Sequence, residues 1–210
     1  MTELPLFPLQ WVAFPGEEVN LHIFEPRYKK LIRECEERDL TFGLPPFVGG
    51  KLSRMGTELQ LQAVTNRKAD GSCDVQLLGK RVFRIIEFLQ PLSMADYLRG
   101  KVAFQPEVFD AEINLQGQLR DKLQDLFNLM LVDRQIPPNP SAIQTFQFAH
   151  YVGLSQSREL ELIEIPSEIE RCIFLLNHLN TFIPQVQEME TLRKRARLNG
   201  HIKRFDPLDF

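Results

Sequence analysis

The sequence predicts an α+β protein, with a small barrel or strongly curved sheet that carries one inserted helix, followed by an α-helical bundle. Two observations predict it. Up to residue 104, apolar side chains recur with the two-residue period of strands, punctuated by Pro and Gly turns. Beyond residue 105 they recur every three to four positions, the period of helices. The change comes without a Gly/Ser-rich tether, low-complexity tract or internal repeat. The expected organisation is a strand-built part over 1–104, a helical part over 105–200 and a short C-terminal tail over 201–210.

Each element has its own signal. PLFPL (5–9) is apolar and broken by proline, as an opening or edge strand is. After Pro15-Gly16, Val19, Leu21 and Ile23 alternate with Asn20, His22 and Phe24. Pro26 then opens a helix whose Tyr28, Leu31, Ile32 and Cys35 share one face, leaving the intervening charges to solvent. A short strand is expected in 42–48, interrupted by Pro45-Pro46. Another is expected where Leu59, Leu61 and Ala63 alternate with polar residues. Asp70-Gly71 marks a turn before Cys73, Val75 and Leu77, and Gly79-Lys80 reads as a second tight turn before RVFRIIEF (81–88). YLRGKVAF (97–104) ends the strand series.

In the helical part, Asp110 is expected to cap a helix carrying Leu119, Leu123, Leu126, Phe127 and Met130 on one stripe. IPPNP (136–140) interrupts it, because proline cannot continue helical hydrogen bonding. A shorter helix from Ser141 should stop at Gly153, and Ser155 should begin another. Ser167 and Glu170 match a capping box ahead of Ile169, Cys172, Ile173 and Leu176. Pro184 should kink this helix or start the last one, which runs to Gly200.

Composition excludes several classes. The net charge of −3 gives no general attraction to nucleic-acid backbones or anionic lipid. The three cysteines are far apart and form no CxxC pair, so neither a zinc knuckle nor a redox pair is encoded, and free thiols fit a reducing compartment. The N-terminus lacks signal-peptide character, and no stretch approaches the roughly 20 apolar residues that span a bilayer. The expected location is the cytoplasm.

The ordered series LPLFPL (4–9), VAFPGE (12–17), LHIFEPRY (21–28), MGT (55–57), DGS (70–72) and LLGKRVFRI (77–85) resembles the N-terminal substrate-binding domain of Lon protease, especially its stand-alone bacterial forms. YVGLSQSRELELIEIPSEIERCIFLLNHL (151–179) is similar to the corresponding helices, and the likeness extends to about residue 195. The resemblance implies a β pseudo-barrel related in shape to PUA domains, a helical bundle behind it, and recognition of unfolded or damaged protein segments for a protease. The chain has no GxxxxGK[ST] phosphate loop, and it ends before a region that would hold the family's Ser-Lys pair. The expectation is therefore a recognition module that is not an enzyme. Cereblon carries a domain of this kind, but its zinc-binding cysteine pairs have no counterpart here.

Phe24, Glu25, Pro26, Arg27 and Tyr28 form the candidate site, open to two readings: a polypeptide contact, or the joint between a strand and a helix. Pro26 suits a helix start, Glu25 is favoured there by the helix dipole, and Arg27 can fork onto Glu25 or another carboxylate. His22, His150, His178 and His201 lie apart with no HxxxH or HExxH spacing, so no metal site, cofactor site or catalytic residue is proposed. RKRAR (193–197) and HIKR (201–204) form a local basic cluster without interleaved aromatics, read first as a solvated helix face, with nucleic-acid contact and a docking role as the alternatives.

The leading expectation is a non-enzymatic module that holds exposed apolar segments of unfolded or damaged polypeptides, in concert with a separate protease or as a homodimer through its open surface. An RNA-binding role, by analogy with PUA-like barrels, is the alternative; an uncharacterised hydrolase comes last.

Overall fold

The computed structural model describes residues 2–89, 93 and 96–200, with side chains described to residue 196. HIKR (201–204), His201 and the tail 201–210 lie outside the described residues. The chain forms two compact units. One comprises Met1–Ala111 with Gln144–Arg171, the other Glu112–Ile143 with Cys172–Phe210.

The strands of the first unit are β1 (Thr2–Leu6), β2 (Glu18–Ile23), β3 (Thr41–Leu44), β4 (Phe47–Val48), β5 (Lys51–Leu52), β6 (Met55–Thr65), β7 (Cys73–Leu89) and β8 (Leu98–Phe104). Six form one sheet in the order β2-β7-β6-β3-β1-β8, and a second β7–β8 pairing closes the ring β7-β6-β3-β1-β8. The length of β7 makes this closure geometrically simple. One edge of β7 pairs with β6, while the other takes β2 over Cys73–Leu78 and β8 over Phe83–Leu89. Register shifts in β6 between Thr57 and Leu59 and between Leu61 and Ala63, and in β7 between Ile85 and Glu87, add the local twist that curls a sheet. The expected pseudo-barrel is thus present, with β4 and β5 as a separate two-stranded ribbon.

Gly79-Lys80 is not a turn. It lies inside β7, where the Gly79 N–H donates to Glu17 O at 2.8 Å and the Gly16 N–H to Gly79 O at 2.9 Å. A Cβ on Gly79 would stand 2.1 Å from the carbonyl oxygen of Phe14, so this glycine serves close backbone approach. The opening strand also falls earlier than 5–9. It ends at Leu6, and Leu9 makes only an isolated bridge to Pro46.

Helix α1 (Pro26–Arg38) is inserted between β2 and β3, with Pro26 in its first turn and Asp39 left-handed at its end. Tyr28, Leu31, Ile32 and Cys35 are its buried residues, as their spacing requires. They join Phe7, Val19, Ile23, Phe42, Leu44, Leu59, Val75 and Leu77 in the larger core; Leu4, Leu6, Phe83, Ile85 and Val102 form a smaller one.

The segment from Gln144 adds a 3-10 turn (Thr145–Tyr151), helix α3 (Gln156–Glu164) and the first turn of α4 (Glu168–Gly200) to this unit. Ser155 caps α3 as expected, accepting the Arg158 N–H at 3.4 Å, and Gly153 has φ +72°. Asp110 does not cap the helix that follows it in sequence. Its carboxylate instead accepts the Ile169 N–H at 3.1 Å and the Ser167 hydroxyl at 2.7 Å, while Ser167 Oγ accepts the Glu170 N–H. Backbone pairing of Val108 with Pro166 and Glu168 brings Asp110 to the start of α4, a placement that local spacing cannot reveal.

In the second unit, α2 (Ile113–Met130) buries Gln116, Leu119, Leu123, Leu126 and Phe127, with Met130 exposed. Its Gln116 amide donates to Ile143 O at 2.9 Å. The α4 stripe is Cys172, Leu175, Leu176, Leu179, Ile183 and Val186; Ile173 faces outward, and the helix continues through Pro184.

Candidate functional site

A pocket of about 370 Å3 opens on the first unit. β7 supplies Arg81 and Val82, β8 ends in it at Phe104, and the extended Gln105–Glu107 forms one wall. Phe146, Ile163, Ile165, Pro166 and Arg171 complete it. Its apolar surface comes from residues at the margin of the core: Val82 is buried beside Phe83 in β7, and Ile163 ends the buried stripe of α3.

Both arginines are already engaged. Arg81 forks onto Glu58, Nε to Oε2 at 2.7 Å and Nη2 to Oε1 at 3.1 Å, and its guanidinium carbon stands 3.6 Å from the Phe104 ring centre. Glu58 is buried, and Thr41 donates its hydroxyl to it at 2.8 Å. Arg171 is buried too. Its Nε donates to Glu168 at 2.8 Å and to Thr145 Oγ1 at 3.2 Å, and its Nη1 donates to the carbonyls of Ile165 and Pro166 at 3.0 and 3.1 Å. The Arg171 guanidinium lies 4.3 Å from the Phe146 ring centre. A buried charge held by so many acceptors is a rigid strut, because removing any partner would leave it uncompensated.

Two acceptors in the wall are under-committed. Gln105 anchors its N–H on Val82 O at 2.9 Å and donates its side-chain amide to Glu164 O at 2.8 Å. That donation fixes the amide orientation and leaves Oε1 buried without a hydrogen-bond partner. Glu107 approaches Arg171 Nη2 at 3.4 Å. Burial raises its pKa, the Arg171 charge lowers it, and the nearby Glu168 raises it, with a net upward shift.

Elsewhere in this unit, His150 is clamped between two carboxylates. Nδ1 lies 2.8 Å from Glu159 Oε1 and Nε2 lies 3.1 Å from Glu17 Oε1. Trp11 and Phe14 flank the ring at centroid distances of 4.4 and 4.9 Å. Burial alone would lower this pKa, but the hydrogen bonds and charges of Glu159 and Glu17 outweigh it and raise it to about 9. The arrangement is an imidazolium tie between the Phe14–Glu17 turn, the 3-10 turn and α3.

Phe24, Glu25, Pro26, Arg27 and Tyr28 lie where β2 meets α1. Tyr28 is buried against Phe7 with ring centres 4.0 Å apart, and the Arg27 guanidinium covers its ring at 4.6 Å. Arg27 also forks onto Glu25, at 2.9 Å through Nε and 2.7 Å through Nη2. Phe24 is 64% exposed, stacked beside His22, which pairs with Asp74 at 2.6 Å. Of the five, Pro26 opens α1, Tyr28 is buried, Glu25 and Arg27 pair with each other at the surface, and Phe24 is exposed. The pocket residues lie elsewhere on the chain, at 81–82, 104–107, 146 and 163–171.

Sequence reasoning missed the pocket because its lining comes from four separated stretches. One signal was present: Arg171 stands directly before the apolar stripe of α4, where a charge demands a partner. Among the described residues, no group of three or more His, Cys, Asp or Glu side chains could hold a metal ion. No described helix is long and apolar enough to cross a membrane. Arg193 of the basic cluster pairs with Glu190 at 2.9 Å within α4.

The family model described as the ATP-dependent protease La (LON) substrate-binding domain matches residues 3–181. Among solved structures, a Lon N-terminal domain protein from Xanthomonas campestris is similar, at 28% identity and TM-score 0.68, covering 84% of this chain and 98% of that one. The N-terminal domain of Mycobacterium avium complex Lon protease shares the fold at 16% identity and TM-score 0.61, covering 85% of this chain and 98% of that one. No curated protein matches the chain.

Proposed function

The chain belongs to the family of ATP-dependent protease La (LON) substrate-binding domains, and from that membership we propose that it binds exposed apolar segments of unfolded or damaged polypeptides, without chemistry of its own. The observation that carries this reading is the pocket formed by β7, β8 and the 144–171 segment, an apolar cleft with an orphan acceptor in its wall. An extended polypeptide brings apolar side chains at alternate positions and a backbone N–H at nearly every residue. One side chain would fill the space beside Val82, Phe104 and Ile163, while a neighbouring N–H would satisfy Gln105 Oε1. Burying one such side chain contributes about 2 kcal/mol, and meeting a buried acceptor about 1 kcal/mol. Binding of that strength is weak for one contact and suits sequence-tolerant capture through several. Phe24, exposed beside the α1 joint, supplies a further apolar contact in this reading, and a separate protease would receive the held segment.

Fluorescence anisotropy with labelled, permanently unfolded polypeptides tests the proposal, with a polar low-complexity peptide as control. Saturable binding of the unfolded polypeptides, weakened by Val82→Asp, is expected. Affinity no better than the control would refute it.

A further inference from the structure

The charges that line the pocket are unequally held. The lining carries two guanidiniums, Arg81 and Arg171, and one carboxylate, Glu107, while Glu58 and Glu168 pair with the two arginines from outside the lining. Glu58 is matched by Arg81 in a two-point fork, and Glu168 by Arg171 at 2.7 Å. Glu107 has the remaining, longer contact of 3.4 Å to an Arg171 that already donates to Glu168, Thr145 and two backbone carbonyls. Gln105, two residues earlier on the same wall, adds an acceptor with nothing to accept. The wall therefore carries one loosely held carboxylate and one amide oxygen without a partner, next to the rings of Phe104 and Phe146.

Resting on the preceding reading of the site, we infer that the pocket selects, among apolar segments, those carrying a basic side chain, whose aliphatic stem lies along the aromatic walls while its N–H groups meet Glu107 and Gln105 Oε1. The stem of a lysine or arginine is apolar and its head is a set of donors, the complement of this lining. A carboxylate-bearing residue would face Glu107 and the unpaired Gln105 oxygen with no donor to offer. Of the two arginines in the described lining, Arg171 is buried and Arg81 stands at the rim, where an incoming cation meets it already neutralised by Glu58 and open to solvent, its side chain 57% exposed. The cost that burial places on the charged Glu107 carboxylate is offset when a cation pairs with it.

The test uses the full chain and three short labelled peptides, identical except at one central position in an apolar frame: lysine, Nε-acetyl-lysine or norleucine. The lysine peptide should bind about tenfold more tightly than either of the others, the effect of one charge-assisted contact. Glu107→Gln should abolish that preference, and Gln105→Leu should reduce it, with circular dichroism confirming that each variant is folded. Because acetylation changes only the peptide, the comparison on the unaltered chain stands even where a variant misfolds. Equal affinities for the three peptides, or a preference that survives Glu107→Gln, would overturn the inference and leave the recognition role standing. Failure of all three to bind would overturn both.

Discussion

Replacing His150 with glutamine should cost stability in a pH-dependent way, with a direction set by the two carboxylates on the ring. In the folded chain Glu159 and Glu17 hold the imidazolium to about pH 9, against an ordinary value of 6.5. The pKa is raised on folding, so its contribution is complete below the unfolded value and is lost as pH climbs from 6.5 towards 9. Holding a proton across that interval is worth about 3 kcal/mol at 1.36 kcal/mol per pKa unit. The ring is partly open to solvent, and screening brings the pH-dependent part to about 2 kcal/mol. His150→Gln leaves Glu17 and Glu159 near each other without the intervening cation, so at neutral pH the variant should lose that amount or slightly more. Urea denaturation of both proteins at about pH 6, 8 and 10 measures the difference, and subtraction removes groups common to the two. The gap should be widest at the lowest of these pH values and narrow by about 2 kcal/mol at the highest. A constant gap, or one that widens with pH, would mean that the ring is neutral in the fold and that the tie is not ionic.

Gly79→Ala should destabilise the chain by about 3 kcal/mol, because its methyl group must displace the Phe14 carbonyl and a strand backbone cannot yield cheaply; a thermal melt within a degree of the parent would contradict this. Asp110→Ala should lower the melting temperature at neutral pH by removing the cap on α4. The Ser167 and Ile169 hydrogen bonds depress the Asp110 pKa, so that contribution is present above the ordinary carboxylate range and disappears as pH falls through the depressed value. The melting difference between parent and variant should therefore shrink on acidification. Phe24→Ala should weaken capture of unfolded polypeptide about threefold while leaving the melting temperature nearly unchanged, since the ring is exposed; a large stability loss would instead assign Phe24 to the joint.

Local periodicity and punctuation are legible in the chain alone. The strand-to-helix joint at Pro26, the four buried residues of α1, the Asp70-Gly71 turn and the Ser155 cap all follow from neighbours a few residues apart. In each case the governing interaction is short in sequence: a missing proline N–H, a shared helix face, a side chain reaching its own backbone. The family likeness was legible for a related reason, because an ordered series of such local signals runs through most of the chain. Tertiary structure decided whatever depended on distant partners. Gly79 reads as a turn residue until the Phe14 carbonyl lies against it, and Asp110 reads as the cap of the next helix until Val108 pairs with Pro166 and Glu168. The pocket belongs to the same class, since β7, the end of β8 and the 144–171 segment each contribute a few residues. Backbone hydrogen bonds between segments far apart in the chain leave no period in the sequence, and they alone bring Gln105, Glu107 and Arg171 around one space.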